Sequence, residues 1–247
     1  MKIQKSVKQS LIGTIFTIGA PQVAEMISNA GFDWVLIDME HSTLSLDSVQ
    51  IALQVMGDKM IRIVRVPGND DIWIKRVLDT GCDGILVPMV KNAEEAGKAV
   101  NSSKYPTEGQ RSVGVARAHK FGAAFKEYVT RANDELIVMI QIEHIDGVKN
   151  IDSILDVPGI DSIFIGPYDL SSSMGLMGQV DHPDVRAAID LVKRKCQAAE
   201  IPYGIFGISP ESLEKELKDG CTFALCGIDA SLLSGALKEM LEKLKRK

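Results

Sequence analysis

Eight short apolar runs recur along this chain at near-regular intervals, and that rhythm limits the fold more than any other feature. They cover residues 11–18, 34–39, 60–66, 84–90, 136–142, 162–165, 203–208 and 222–227. Most are continuous rather than alternating, the pattern of parallel strands covered on both faces. Amphipathic stretches lie between them, at 23–29, 46–56, 72–78, 93–100, 185–199, 210–218 and 232–244. In the second, Val49, Leu53 and Met56 fall near helical spacing. Gly31, Gly81, Gly159 and Gly220 follow helical patterns, where a glycine ends a helix.

Strand then helix, repeated through 247 residues, predicts a single-domain (β/α)8 TIM barrel over 1–247, an α/β fold of about 250 residues. An open doubly wound sheet is the alternative. Against it, the first strand runs into Gly19-Ala20-Pro21 and carries no G-x-G-x-x-G turn. One longer irregular stretch, 103–135, follows the fourth strand; its glycines and arginines suggest a loop folded over the site, with a plain surface excursion as the alternative.

Composition excludes several classes. The chain is 45% hydrophobic and 25% charged, with net charge −5 and no basic face, so no nucleic-acid partner is expected. The lysines of MKIQKSVKQS precede an apolar stretch broken by Gly13 and Gly19, which reads as neither signal peptide nor membrane span. A cytoplasmic protein without a membrane partner is expected. Lys243, Lys245, Arg246 and Lys247 close the last helix with the charge its dipole favours. Cys82, Cys196, Cys221 and Cys226 show neither C-x-x-C nor zinc spacing and read as free, buried thiols.

Barrel active sites lie where the strands end. Strand two ends in Asp38-Met39-Glu40-His41, strand three in Arg65-Val66-Pro67, strand five in Gln141-Ile142-Glu143, and strand six in Gly166-Pro167-Tyr168-Asp169. Period two puts Asp38 with Glu40, Gln141 with Glu143, and Arg65 with Ile63. Asp169 read alone is a turn or cap residue. Acids converging from three strand ends raise one another's pKa, and a divalent cation resolves the conflict. Carboxylate ligands from Glu143 and Asp169 favour Mg²⁺, Mn²⁺ or Co²⁺. His41 could pair with Asp38 and serve as a base. His144 is expected to be structural, and His119 and His182 exposed.

The segments IDMEHS, VRVPGND, LDTGCDGILVPMV, YPTEGQRSVG, QIEHIDGVKNIDSIL, GIDSIFIGPYDLSSSMGLMGQVDHPDV and GCTFALCGIDASLL together resemble the HpcH/HpaI family of class II, metal-dependent pyruvate aldolases, in order and over nearly the whole chain. The resemblance implies metal ligands Glu143 and Asp169, a catalytic Arg65, and a catalytic His41 with Asp38 as its dyad partner. It places Gln141, Gly166, Tyr168, Asp169 and Arg65 around the substrate. It implies reversible cleavage of a 4-hydroxy-2-oxo acid into pyruvate and a semialdehyde-type aldehyde, by a homo-oligomer, typically a hexamer, whose last helix packs on a neighbouring subunit. Tyr168 departs from the small residue common at that position, which leaves the aldehyde open. No lysine ends strand six, where a Schiff-base aldolase would place one. Acyl-CoA lyase or oxaloacetate decarboxylase chemistry in the same barrel is the alternative, and a non-catalytic keto-acid binder a remote one.

Overall fold

Each apolar run becomes a strand, and the eight strands close on themselves. A computed structural model describes residues 9–245; most of the lysine-bearing N-terminal segment, and Arg246 and Lys247, lie outside the described residues. The order is β1 Leu11–Phe16, α1 Pro21–Asn29, β2 Trp34–Asp38, α2 Leu46–Met56, β3 Ile61–Arg65, α3 Asp71–Asp79, β4 Gly84–Val87, α4 Ala93–Ser103, a 3₁₀ turn Arg117–Gly122, α5 Phe125–Glu135 and β5 Ile137–Ile142. It continues with α6 Ile145–Lys149, α7 Ile151–Leu155, β6 Ser162–Ile165, α8 Pro167–Ser173, α9 Pro183–Ala198, β7 Tyr203–Gly207, α10 Pro210–Lys218, β8 Phe223–Ile228 and α11 Asp229–Lys245. Every neighbouring pair is parallel, and β1 pairs with both β2 and β8, so the (β/α)8 barrel is complete.

Two apolar layers follow from the period-two alternation. Outward residues such as Val35, Ile37, Val64, Ile85 and Ile163 pack beneath the helices. Inward residues fill the barrel: Trp34, Leu36, Ile63, Met139, Phe164, Phe223 and Leu225. Trp34 is fully buried and meets Phe164 and Phe223 edge-on, with ring centroids 6.1 and 5.5 Å away. Its indole N–H faces the Leu11 and Ala224 carbonyls at 3.3 Å, so its one polar atom is not stranded. Gly13 makes the room, since a Cβ there would stand 2.5 Å from the indole ring. Three of the four thiols are buried, Cys226 is half-buried, and all are free.

Helix ends follow local chemistry. Ser45, Asp70 and Asn92 cap α2, α3 and α4 through their side-chain oxygens. Gly31, Gly81 and Gly220 stand two residues past helix ends with φ of 89°, 82° and 89°.

The stretch after α4 corrects two expectations. Its last part is the helix α5, not irregular chain. The rest is pinned at the opposite end of the barrel from the strand ends that carry Asp38 and Arg65. Buried Arg111 reaches Asp79 at 2.8 Å and lies over the Tyr105 ring at 4.6 Å, while Arg117 donates to the Thr80 carbonyl at 2.6 Å. Asp79 and Thr80 stand just before β4, so these bonds draw the segment to the N-terminal face. His119, expected to be exposed, is buried there: Nδ1 accepts from the Gly122 amide at 3.0 Å, and Nε2 lies 2.7 Å from the Gly114 carbonyl. His144 and His182 cap α6 and α9, and His182 is half-buried.

In α11, by contrast, Leu232, Leu233, Leu237, Met240, Leu241 and Leu244 are all exposed. Among the described residues no helix is long and apolar enough to cross a membrane.

Candidate active site

Period two aims the polar strand ends into the mouth. Trp34 and Leu36 point inward, so Asp38 does too; Ile63 carries Arg65 inward, and Ile137 and Met139 carry Gln141. A cavity of about 170 Å³ opens there. His41, Arg65, Gln141 and Asp169 form its polar side; Ile15, Leu36, Phe164, Phe206, Leu225 and Ile228 form its apolar side. The apolar half was not foreseen from sequence, because Phe206 and Ile228 read as ordinary strand residues until the barrel brings them together. Tyr168 packs on Phe206 with ring centroids 6.3 Å apart, at the rim.

Asp38 and Arg65 form a two-pronged pair, Nε to Oδ1 at 2.9 Å and Nη2 to Oδ2 at 2.7 Å. Burial alone would push the Asp38 carboxyl up. The Arg65 hydrogen bonds and charge, joined by the Glu40 and His41 amides, outweigh it and hold the carboxyl below its ordinary range. Arg65 also lies 3.2 Å from Glu40 through Nη1. The expected pairing of the His41 ring with Asp38 is not what the structure has. Both Asp38 oxygens are taken by Arg65, and the exposed His41 ring lies 3.6 Å from Glu40 Oε2. Glu40, which the D-x-E-H spacing put on the face of Asp38 with no role of its own, is therefore a site residue.

Glu143 is 1% exposed. Its Oε1 accepts from the Met89 amide at 2.7 Å, and its Oε2 from Gln141 Nε2 at 2.5 Å. Burial raises its pKa most; the Met89 amide opposes, the charges of Glu40 and Asp169 add to the rise, and the carboxyl is pushed up to about 7. Burial also raises Glu40, against the charges of Arg65 and His41 and with those of Asp38 and Asp169. Gly166 permits this crowding: a Cβ there would lie 2.7 Å from Glu143 Oε2 and 2.9 Å from Gln141 Nε2. Asp169 sits in the first turn of α8, which starts at Pro167, and is exposed at the rim.

The donor set fits a hard divalent cation. Among the described residues no cluster of three or more His, Cys, Asp or Glu is arranged to hold a metal. The pair that could hold one is Glu143 and Asp169, whose mutual repulsion a cation would relieve. One or two carboxylates, completed by water and substrate oxygens, is the usual way such ions are held. Gln141 Oε1 is buried without a hydrogen-bond partner beside this pair.

The model of the family described as HpcH/HpaI aldolase/citrate lyase matches residues 15–236. A 4-hydroxy-2-oxo-heptane-1,7-dioate aldolase of Shigella sonnei (strain Ss046) is 38% identical over 232 residues, covering 93% of this chain and 88% of that protein. A 2-dehydro-3,6-dideoxy-6-sulfogluconate aldolase of Pseudomonas putida is 39% identical over 238 residues, covering 95% and 92%. The crystal structure of an HpcH/HpaI aldolase/citrate lyase family protein from Burkholderia cenocepacia J2315 superposes with a TM-score of 0.94 at 29% identity, covering 98% of this chain and 96% of that one. A match over most of the chain, relatives near 38% identity, and a barrel whose mouth gathers Asp38, His41, Arg65, Glu143 and Asp169 lead to one statement: this chain belongs to the HpcH/HpaI aldolase/citrate lyase family.

Proposed function

We propose that the chain is a lyase that reversibly cleaves a 4-hydroxy-2-oxo acid into pyruvate and an aldehyde, with a divalent cation, Mg²⁺, Mn²⁺ or Co²⁺, held by Glu143 and Asp169. The observation that carries the reading is the Arg65 guanidinium, fixed by Asp38 and facing the same mouth as the Glu143 and Asp169 carboxylates. When bound, the cation supplies Lewis acidity to the keto oxygen. The rest falls to the chain. His41 takes the proton of the C4 hydroxyl. The C3–C4 bond breaks, its electron pair passes to the C2 keto group, and the aldehyde leaves. Arg65 donates to the oxygen that gains charge. Protonation at C3 then gives pyruvate. Gln141 and the amides of Tyr168 and Asp169 hold the carboxylate of the oxo acid, and Gly166 keeps that approach open.

In this reading Asp38 positions Arg65 and Glu40 orients His41, since those are the partners each side chain has. The exposed leucines of α11 support a homo-oligomer, a hexamer by family resemblance, in which this helix packs on a neighbouring copy.

The test is exchange of pyruvate methyl protons in D₂O, followed by NMR, with each cation, after EDTA, and with Glu143→Ala alongside. Cation-dependent exchange that the variant loses supports the reading and justifies screening aldehydes. A folded protein that exchanges nothing with any cation overturns it.

A further inference from the structure

The face opposite the mouth holds a larger cavity, about 620 Å³, between the turn Arg117–Gly122, α5 and the starts of β4 and β5. Its wall carries four cations, Arg62, Arg117, Lys120 and Arg131, and three carboxylates, Asp58, Asp83 and Glu135. Arg62 is satisfied by Asp83, through Nε at 2.8 Å and Nη2 at 2.9 Å, and by Asp58 at 3.2 Å. Arg131 lies 3.5 Å from Glu135 and 3.0 Å from Glu127. That uses the carboxylates lining the cavity. Arg117 and Lys120, which also line it, have no carboxylate at ion-pair distance among the described residues. Arg117 is half-buried, and its guanidinium bonds a neutral group, the Thr80 carbonyl. Burial, and then the nearby charge of Arg62, hold its pKa below the usual arginine range, against the opposing charges of Asp58 and Asp83.

A partly buried guanidinium beside another cation, with Asp58 and Asp83 near it but neither at ion-pair distance, is costly in a fold that pairs its other buried arginines directly. Arg62, Arg65 and Arg111 all have carboxylate partners. Tyr128 lines the cavity too, and its hydroxyl accepts from Arg111 at 3.3 Å, which leaves its own proton to donate.

We propose that this cavity is a second ligand site, for a phosphate group held by Arg117 and Lys120 with the Tyr128 hydroxyl as a further donor. The wall carries one positive charge in excess, which favours an anion, and the planar guanidinium matches phosphate oxygens in pairs. The volume exceeds that of a bare phosphate, and the exposed Phe121 ring beside the cations gives an organic part something to lie against. Nothing in this assignment depends on the reaction at the mouth.

The experiment is calorimetric titration of the full chain with inorganic phosphate, ribose 5-phosphate and AMP, at near-physiological salt so that exposed charges are screened. Saturable binding is expected, with Kd of about 1 mM or below for at least one probe. Arg117→Gln and Lys120→Gln should each weaken it about tenfold, and Arg65→Ala, at the mouth, should leave it. If inorganic phosphate binds as well as the esters, the ligand is free phosphate; tighter esters identify an organic phosphate. No saturable binding of any probe up to about 10 mM overturns the proposal. So does binding that survives both cavity variants and disappears in Arg65→Ala. Lys120 is exposed, so its variant decides the matter even if Arg117→Gln fails to fold.

Discussion

Arg65 and Asp38 share two hydrogen bonds, at 2.9 and 2.7 Å, at the inner ends of adjacent strands. The pair fixes the guanidinium plane and leaves Nη1, 3.2 Å from Glu40, as its remaining handle on the mouth. Arg65→Ala should therefore lower kcat by about 10²–10³, the usual effect of losing one preorganised donor to a developing oxyanion. Asp38→Ala should lower kcat and also stability, by up to about 3–5 kcal/mol, because the buried guanidinium then keeps only Glu40, and Arg65→Ala should cost stability too by stranding the buried Asp38 carboxylate. Steady-state kinetics and thermal unfolding of the two variants measure both effects.

His41 gives a second contrast. Its ring lies by Glu40, not Asp38. Glu40→Gln should lower kcat by loosening the group that orients the ring, whereas Asp38→Asn should act mainly on Arg65. Paired with a His41→Asn background in a double-mutant cycle, Glu40→Gln should be non-additive and Asp38→Asn additive; the opposite result would reverse the assignment of partners.

Glu143 predicts how metal-free protein responds to pH. Its folded pKa of about 7 lies above its ordinary 4.5, so the folded state holds a proton that the unfolded chain releases in between. Its contribution is complete below about pH 4.5 and is lost as pH rises through 7, a difference of up to about 3 kcal/mol. EDTA-treated protein should thus show a melting temperature falling over that window, and Glu143→Gln should flatten the fall. A divalent cation added near neutral pH should raise the wild-type melting temperature by mass action.

Gly166→Ala places a Cβ 2.7 Å from Glu143 Oε2. The barrel should still form, while the carboxylate is displaced. Mn²⁺ affinity, followed by electron paramagnetic resonance, is expected to fall about 10–100-fold, the range seen when support for a ligand is lost.

Away from the mouth, buried Lys193 ties Glu216 at 2.7 Å and Asp219 at 2.6 Å, linking α9 to α10 and the turn after it. Lys193→Ala leaves buried Glu216 with only Arg186 and should cost about 3–5 kcal/mol in chemical unfolding. Pyruvate exchange per folded molecule should not change.

The strand rhythm was legible because parallel barrel strands are apolar on both faces, so burial writes itself into continuous runs. Asp38, Arg65, Gln141 and Glu143 were legible as mouth residues because period two is local: Leu36 inward means Asp38 inward. Three things were not legible. The stretch after α4 could be read as a loop over the mouth or as a surface excursion, and Arg111 and Arg117 tie it to Asp79 and Thr80 on the other face. The pair α6 and α7, five residues each, left too little pattern to read. The partner of His41 depends on which oxygens Arg65 occupies, and spacing along one strand cannot report that.

By itself the sequence determined the barrel, its strand boundaries to within a few residues, and the set of polar side chains at the strand ends. Each of those follows from burial and from a period of two residues along a single strand. Only the tertiary structure decided who pairs with whom. It gave Asp38 to Arg65 and Glu40 to His41, drew Phe206 and Ile228 into the cavity wall, and bonded Arg117 to a carbonyl rather than a carboxylate at the far end. Those outcomes depend on distances between strands and loops far apart in the chain, fixed only when the closed barrel sets its register.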